Sequence, residues 1–129
     1  MTDKEVGDAM RAIVVAMTRL LPTARWRDDE AAFARAIDGL RSEGNALATR
    51  FYVYDGAIGR CCHEFREVLS EAAFSGLISH VMGRDEFVLD LSPKDAERLA
   101  RRIDDEDRIR DAEAIVVAYA RGVGMLPER

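Results

Sequence analysis

The sequence has little that could hold a fold together covalently or anchor it in a membrane. It contains two cysteines in 129 residues, and because Cys61 and Cys62 are adjacent, they have poor geometry for an ordinary structural disulfide. Three prolines against nineteen alanines favour helix. No apolar stretch approaches the roughly 20 residues of a transmembrane helix, and the first residues carry no signal-peptide pattern. These absences predict a cytoplasmic, mostly helical protein.

Basic residues are also fewer than acidic ones. Nineteen basic residues face 24 acidic ones, giving a net charge of −5 at pH 7 and a sequence pI near 5.1. That balance argues against a protein that coats nucleic acid and against a membrane-surface peptide. With 48% hydrophobic and 33% charged residues and no linker or repeat, the composition predicts one globular domain over residues 1–129.

Apolar spacing and capping signals predict helices towards both ends of the chain. Thr2 and Glu5 have the form of a capping box, and Pro22 stops the helix that follows. Ser92 and Pro93 suit the start of another helix. Acid–base pairs spaced four apart could join the last two helices into one, but we favour a break near Asp104 and Asp105. The predicted helices outside the centre cover residues 3–21, 28–44, 93–103 and 105–121.

The centre of the chain predicts short strands around a third helix. Residues 49–54 are aromatic and β-branched, which indicates a strand, and a helix over 60–75 follows. Segments 77–82 and 86–91, joined by a Gly-Arg-Asp turn, predict a hairpin. The order over 28–103 is helix, strand, helix, two-stranded hairpin, helix. We therefore expect a mainly helical α+β fold with a winged-helix-like centre and flanking helices at both ends.

Three stretches of this central region carry a family likeness. They are Arg50-Phe51-Tyr52-Val53-Tyr54-Asp55-Gly56, Ser75-Gly76-Leu77-Ile78 and Ser92-Pro93-Lys94-Asp95-Ala96. Over residues 50–103 the chain resembles the family that contains SocA-like antitoxins (the Panacea domain) and YwgA-like proteins. It departs at the turn, where Asp55-Gly56-Ala57 stands in place of Tyr-Gly-Pro. The resemblance implies a small bacterial protein that binds another protein, as an antitoxin or regulator, and is not a catalyst.

Cys61, Cys62, His63 and His80 form the one cluster with ligand types that zinc prefers. Neighbouring residues on the predicted helix 60–75 would point to different sides, and a fourth ligand is missing. The same geometry keeps His63 from activating either thiol. We therefore predict no metal, no cofactor and no catalytic residues.

The carboxylate runs near residues 28 and 104 suit helix starts, and the glycine pairs lack the strand, lysine and hydroxyl of a phosphate loop. An enzyme of unrecognised type would need a pocket lined by perturbed titratable groups.

A winged-helix centre raises the alternative of DNA binding. The helix predicted over 60–75 would offer Arg60, His63 and Arg66 as contacts to DNA or to a partner, and the hairpin would add Arg84. Acidic residues share that helix face and would repel phosphates about as much as the basic ones attract them. Trp26 lies in a small basic segment and could stack on a base, although a core position is the more common place for such a tryptophan.

The terminal helices have wide apolar stripes that allow two interpretations. The stripes can pack on each other and on the central module, or part of them can form an interface that uses Met10, Met17, Trp26 and Tyr119. Together these features favour a non-enzymatic interaction domain that works as a homodimer or with a different protein. The alternative is a DNA-binding regulator of the winged-helix type.

Overall fold

The computed structural model describes residues 1–20 and 23–127. Within these residues the chain is mainly helical with two small antiparallel sheets, so the expected α+β class is confirmed. The elements in chain order are α1 (Asp3–Leu20), β1 (Arg25–Arg27), α2 (Glu30–Ser42), a 3₁₀ helix (Ala48–Arg50), β2 (Val53–Gly56), β3 (Gly59–Cys62), α3 (Phe65–Phe74), β4 (Ile78–His80), β5 (Glu86–Leu89), α4 (Pro93–Ile103) and α5 (Glu106–Gly122).

Helix α1 is the central element and packs against α3, α4 and α5. Its start follows the predicted capping box, since the Glu5 N–H donates to the Thr2 hydroxyl at 3.2 Å. The predicted end at Leu21 and the stop at Pro22 lie outside the described residues. Because α1 is surrounded by three helices, it is buried over most of its length.

The proposed interface through Met10, Met17, Trp26 and Tyr119 is wrong, because all four side chains are buried in the core. The apolar stripes of α1 and α5 face each other, and this mutual packing takes both stripes out of contact with solvent. Of the two interpretations of these stripes, the structure therefore favours the intramolecular one.

A three-stranded sheet of order β1-β5-β4 covers one side of the core. The predicted hairpin is present as β4 and β5, and the segment around Trp26 adds a third strand that the sequence did not indicate. Trp26 lies opposite Phe87 in this sheet, and both side chains are buried. A three-residue strand is too short for a period of two to be recognised, which explains why β1 was missed.

Tyr119 ties α5 to this sheet and to the start of α2. Its hydroxyl donates to the carbonyl of Arg27 and accepts from the N–H of Asp29 at 3.1 Å. Its ring lies parallel to that of Trp26 at a centroid distance of 6.2 Å and packs edge-on to Phe33 at 5.7 Å. One side chain therefore satisfies two partly buried backbone groups.

The second sheet is a hairpin of β2 and β3, and it corrects two sequence predictions. The strand expected over 49–54 begins at Val53, and the helix expected over 60–75 begins at Phe65. The register pairs Val53 with Cys62 and brings Gly56 opposite Gly59 across a two-residue turn. Gly59 has a φ of 144°, a conformation that favours glycine and interrupts a helix at this point.

The predicted break between the last two helices is confirmed. Asp104 adopts a left-handed conformation with a φ of 47°, and Asp105 caps α5 by accepting from the Arg108 N–H at 3.0 Å. Two adjacent aspartates thus end one helix and begin the next, because short polar side chains tolerate both conformations.

The Tyr119 hydroxyl gives the first testable prediction. Tyr119→Phe keeps the ring packing but leaves the Arg27 carbonyl and the Asp29 N–H without their partner, so we expect the free energy of unfolding to fall by about 1–3 kcal/mol. Urea denaturation followed by Trp26 fluorescence measures the change. Tyr52→Phe, at an exposed tyrosine, is the matched control and should change stability by less than about 0.5 kcal/mol. Equal effects of the two variants would contradict this role.

Candidate interaction surface

The β2–β3 hairpin has one face on the core and one face in solvent. Side chains alternate along each strand, so Val53 and Cys62 share a buried face, whereas Tyr54 and Cys61 share the opposite one. The His63 N–H donates to the Tyr52 carbonyl at 2.9 Å, which extends the pairing by one step and puts these two residues on the solvent side as well. We call the set Tyr52, Tyr54, Cys61 and His63 the outer face of the hairpin.

Two tyrosines dominate the outer face. The rings of Tyr52 and Tyr54 stack at a centroid distance of 5.5 Å with 22° between their planes. Tyr52 is 60% exposed and Tyr54 is 38% exposed, and Ile58 at the turn of the same hairpin is fully exposed. Three of the five large hydrophobic residues that are exposed in the described structure therefore belong to this one hairpin. Such a concentration is typical of contact surfaces.

Glu64 fixes the base of the hairpin from inside the protein. Its side chain is 2% exposed, and its carboxylate accepts from the Tyr52 N–H at 2.8 Å. The amino group of Met1 lies 3.7 Å from the same carboxylate. A buried carboxylate requires such partners, so the position of Glu64 and the position of Tyr52 depend on each other.

The inner face of the hairpin and the edge of β3 that faces away from β2 are fixed against α2. Arg60 donates to both carboxylate oxygens of Asp38 at 2.9 and 3.2 Å and to Asp55 at 3.0 Å. Glu30, at the start of α2, accepts from the Cys62 N–H at 3.2 Å. The hairpin is therefore attached along one side, and its outer face is held rigidly towards solvent.

Ionisable groups of the hairpin shift one another's pKa values. Repulsion from the Cys61 sulfur, burial and the Glu30 carboxylate together raise the pKa of Tyr54 above its ordinary value. The Arg60 guanidinium, whose own pKa is raised by Asp38 and Asp55, holds the pKa of Asp38 below its usual range. Arg60 is therefore engaged by carboxylates, whereas Arg41 donates to the Phe51 carbonyl just before the hairpin at 3.4 Å.

The four predicted contact residues do not form one surface. Arg60 lies on the inner side of the hairpin, and Arg66 on α3 is held by Asp28 at 2.6 Å and by Glu30 at 3.6 Å. Arg84 is exposed in the turn between β4 and β5. His63 alone joins the outer face, with 62% of its side chain exposed and Glu67 4.0 Å away.

The cysteines are placed on a strand and not on the helix that the sequence predicted. Cys62 points into the core, where burial raises the pKa of its thiol to about 12, and Cys61 faces the solvent side with Tyr54. Neighbouring residues on a strand point to opposite faces, so the two thiols cannot bind the same ion. Within residues 1–20 and 23–127 no group of three histidine, cysteine or acidic side chains is arranged to hold a metal.

A cavity of about 500 Å³ lies between the N-terminal ends of α1 and α5. The arginines that line it are paired with carboxylates, since Arg50 bonds to Glu5 and Arg108 lies 3.8 Å from Asp8. Its lining contains no histidine, cysteine, serine, tyrosine or lysine, so it lacks the side chains that most often act as nucleophiles.

The strand predicted over residues 49–54 carries a partial signal for the outer face. Side chains two residues apart on a strand share a face, so Tyr52 and Tyr54 are expected on one side. Which side is buried depends on contacts outside the strand.

Comparisons of the chain with protein-family models, with curated proteins and with solved structures give no significant match. In the part of the chain that the structure describes, no helix combines the length and the apolarity that a membrane crossing requires.

The buried carboxylate gives the second prediction. Glu64→Ala leaves the Tyr52 N–H unpaired near the core and opens a cavity, so we expect the free energy of unfolding to fall by about 2–3 kcal/mol. Glu64→Gln keeps an acceptor oxygen and should lose roughly half as much or less. Urea denaturation measures both variants. If the alanine and glutamine variants lose the same stability, the hydrogen bond to Tyr52 is not what Glu64 contributes.

Proposed function

We propose that this protein is a non-enzymatic interaction domain of the bacterial cytoplasm, with an antitoxin-like or regulatory role, and that it binds its partner protein through the outer face of the β2–β3 hairpin. The observation that carries the proposal is the stacked, exposed pair of Tyr52 and Tyr54 on a rigidly attached hairpin. Tyrosine is enriched at protein interfaces because it offers a large apolar surface together with a polar group, at a low cost in side-chain entropy.

Rigidity of the surface supports the same proposal. Arg60 and Glu30 attach β3 to α2, and Glu64 holds the start of the hairpin. A partner that binds here therefore loses little free energy to ordering of the hairpin. The amphipathic chemistry of the outer face, with aromatic rings next to a thiol and an imidazole, suits a protein surface better than a polyanion.

The tyrosine pair gives the third prediction. The experiment immobilises a Tyr52→Ser/Tyr54→Ser double variant and exposes it to a lysate of the source cell. We expect the variant to retain the partner protein about tenfold less than the wild type does, or less still. The reason is that aromatic side chains dominate interface energetics. Phe74→Ser, at an exposed aromatic residue on α3, is the matched control and should retain the partner. Thermal unfolding of both variants checks that the fold is intact.

Equal retention by the double variant and the wild type would place the contact elsewhere. A wild-type protein that captures no partner would contradict the proposal as a whole.

The strand order favours one alternative function. A sheet of order β1-β5-β4, with α3 immediately before β4, supports a winged-helix-like arrangement in which β1, and not the strand expected over residues 49–54, completes the sheet. Such modules place a helix in the DNA major groove. Charge argues against this function. The exposed side of α3 offers Arg66, which is already paired with Asp28, together with Glu67 and Glu71.

DNA binding gives the fourth prediction. Because α3 presents more acid than free base, we expect no retardation of duplex DNA in a gel at about 50 mM salt, where phosphate contacts are strongest. Arg84→Ala should leave this result unchanged. Salt-sensitive retardation that Arg66→Ala or Arg84→Ala abolishes would establish the alternative in place of a protein partner.

A further inference from the structure

Among residues 1–20 and 23–127, the edge of β2 that faces away from β3 has no hydrogen-bond partner, although Arg41 donates to the Phe51 carbonyl just before the strand. In an antiparallel hairpin, hydrogen-bonded and non-hydrogen-bonded pairs alternate. The bond from the His63 N–H to the Tyr52 carbonyl fixes this alternation, so Tyr54 bonds to Cys61, whereas Val53 and Asp55 direct their N–H and C=O groups away from β3. Strand β3 shows the same alternation, because the Cys62 N–H points away from β2 and donates to Glu30.

The two edges of the hairpin therefore differ. The outward groups of β3 meet α2, where Glu30 serves as an acceptor. For the outward N–H and C=O groups of Val53 and Asp55, no hydrogen-bond partner is found among the described residues. β2 also contains neither proline nor lysine, the residues that commonly block an edge strand. An edge of this kind is a template for an added strand.

The chemistry around the edge indicates what kind of strand would bind. Five carboxylates belong to the hairpin or to side chains that contact it or lie beside it, and three guanidinium groups and one amino group oppose them. The acids are Glu30, Asp38, Asp55, Glu64 and Glu67, and the cations are Arg41, Arg60, Arg66 and the Met1 amine. The remaining excess of one negative charge favours a basic segment over an acidic one.

A second copy of the chain is a poorer match. Each copy carries a net charge of −5, so pairing β2 with β2 would bring two acidic surfaces together. A ladder of four residues also buries far less than the roughly 1,200 Å² of a stable dimer.

The tyrosine pair selects the side chain that the added strand presents. When Val53 and Asp55 carry the new hydrogen bonds, Tyr54 falls in a non-hydrogen-bonded pair, where opposing side chains come closest. The residue opposite Tyr54 then lies against the aromatic rings of the outer face. An arginine or lysine at that position gains a cation–π contact in addition to the attraction of the surrounding carboxylates.

We propose that the partner segment is an extended, basic stretch of a second protein, which adds as a strand to the free edge of β2 at Val53 and Asp55 and lays a cationic side chain on Tyr52 and Tyr54. This inference rests on the proposed function and specifies its mode of binding.

The test uses amide hydrogen exchange of the whole protein, measured by NMR. The probe is a six-residue peptide of alternating valine and arginine, blocked at both ends. We expect the Val53 and Asp55 amides to exchange freely without peptide, unlike the Tyr54 amide, and to slow by about tenfold or more when the peptide saturates the protein. A peptide of alternating valine and glutamate should bind about two- to fivefold more weakly than the arginine peptide, or weaker still.

Backbone controls separate strand addition from simple charge attraction. The same arginine peptide, N-methylated at its four central residues, keeps its charge but cannot form the ladder, and it should give no protection. Asp55→Pro removes one edge donor without breaking a bond to β3 and should weaken binding of the unmethylated peptide by about two- to tenfold. Asp55→Asn, the matched control, keeps the N–H and should bind within about twofold of the wild type.

Three results would overturn the inference. Equal binding of the methylated peptide would mean that charge alone attracts it. Protection of Val53 and Asp55 that grows with protein concentration in the absence of peptide would assign the edge to a second copy. Slow exchange of these amides in the dilute free protein would show that the edge is already occupied.

The two proposals can fail separately. A cellular partner that depends on Tyr52 and Tyr54 but leaves the Val53 and Asp55 amides unprotected would preserve the proposed function and contradict strand addition. If the peptide protects these amides but no cellular partner depends on Tyr52 and Tyr54, strand addition is preserved and the proposed function is contradicted.

Discussion

The alternation of side chains along the β2–β3 hairpin is the constraint on which the rest of the account depends. Val53 and Cys62 are buried on one face, so Tyr52, Tyr54 and His63 must lie on the other. A shift of the register by one residue would bury the tyrosines and expose the core residues. Burial of two side chains therefore determines which surface the protein offers to a partner, and the backbone hydrogen bonds to Glu30 and Glu64 hold the hairpin in place.

Several arginines connect elements of the protein's own structure. Arg60 connects the hairpin to Asp38 in the second half of α2, and Arg66 connects α3 to the start of α2. Arg19 joins α1 to Glu97 on α4 and Glu113 on α5. Such exposed pairs contribute little individually. The larger effect of these pairs is that the carboxylates neutralise arginines that could attract a polyanion. The aromatic outer face is then the chemically distinct part of the surface around the hairpin.

Sequence reasoning located most of the helices because their ends carry strong chemical signals. Ser92 caps α4, the pair Asp104 and Asp105 separates α4 from α5, and Thr2 caps α1, as their side chains indicated. The failures occurred where pairing between distant segments decides the structure. Residues 60–62 have no strong preference of their own, and their pairing with residues 53–55 makes them a strand.

The candidate surface was harder to predict than the fold, for a related reason. Methionines and aromatic residues such as Met10 and Tyr119 suit interfaces and cores equally, and only the packing of α1 on α5 shows that they belong to the core. Tyr52 and Tyr54 were visible as strand residues, but their exposure depends on Glu64 and on the inward position of Val53. Neither contact follows from local sequence.

The most direct measurement of the hairpin register is the pattern of proton contacts in an NMR spectrum of the free protein. In a non-hydrogen-bonded antiparallel pair the α-carbons lie about 4.5 Å apart, which brings the two α-protons into close contact. The account predicts strong α-proton contacts between Val53 and Cys62 and between Asp55 and Arg60. Successive amide–amide contacts from Arg60 to Glu64, the pattern of a helix, would contradict it and remove the outer face with it.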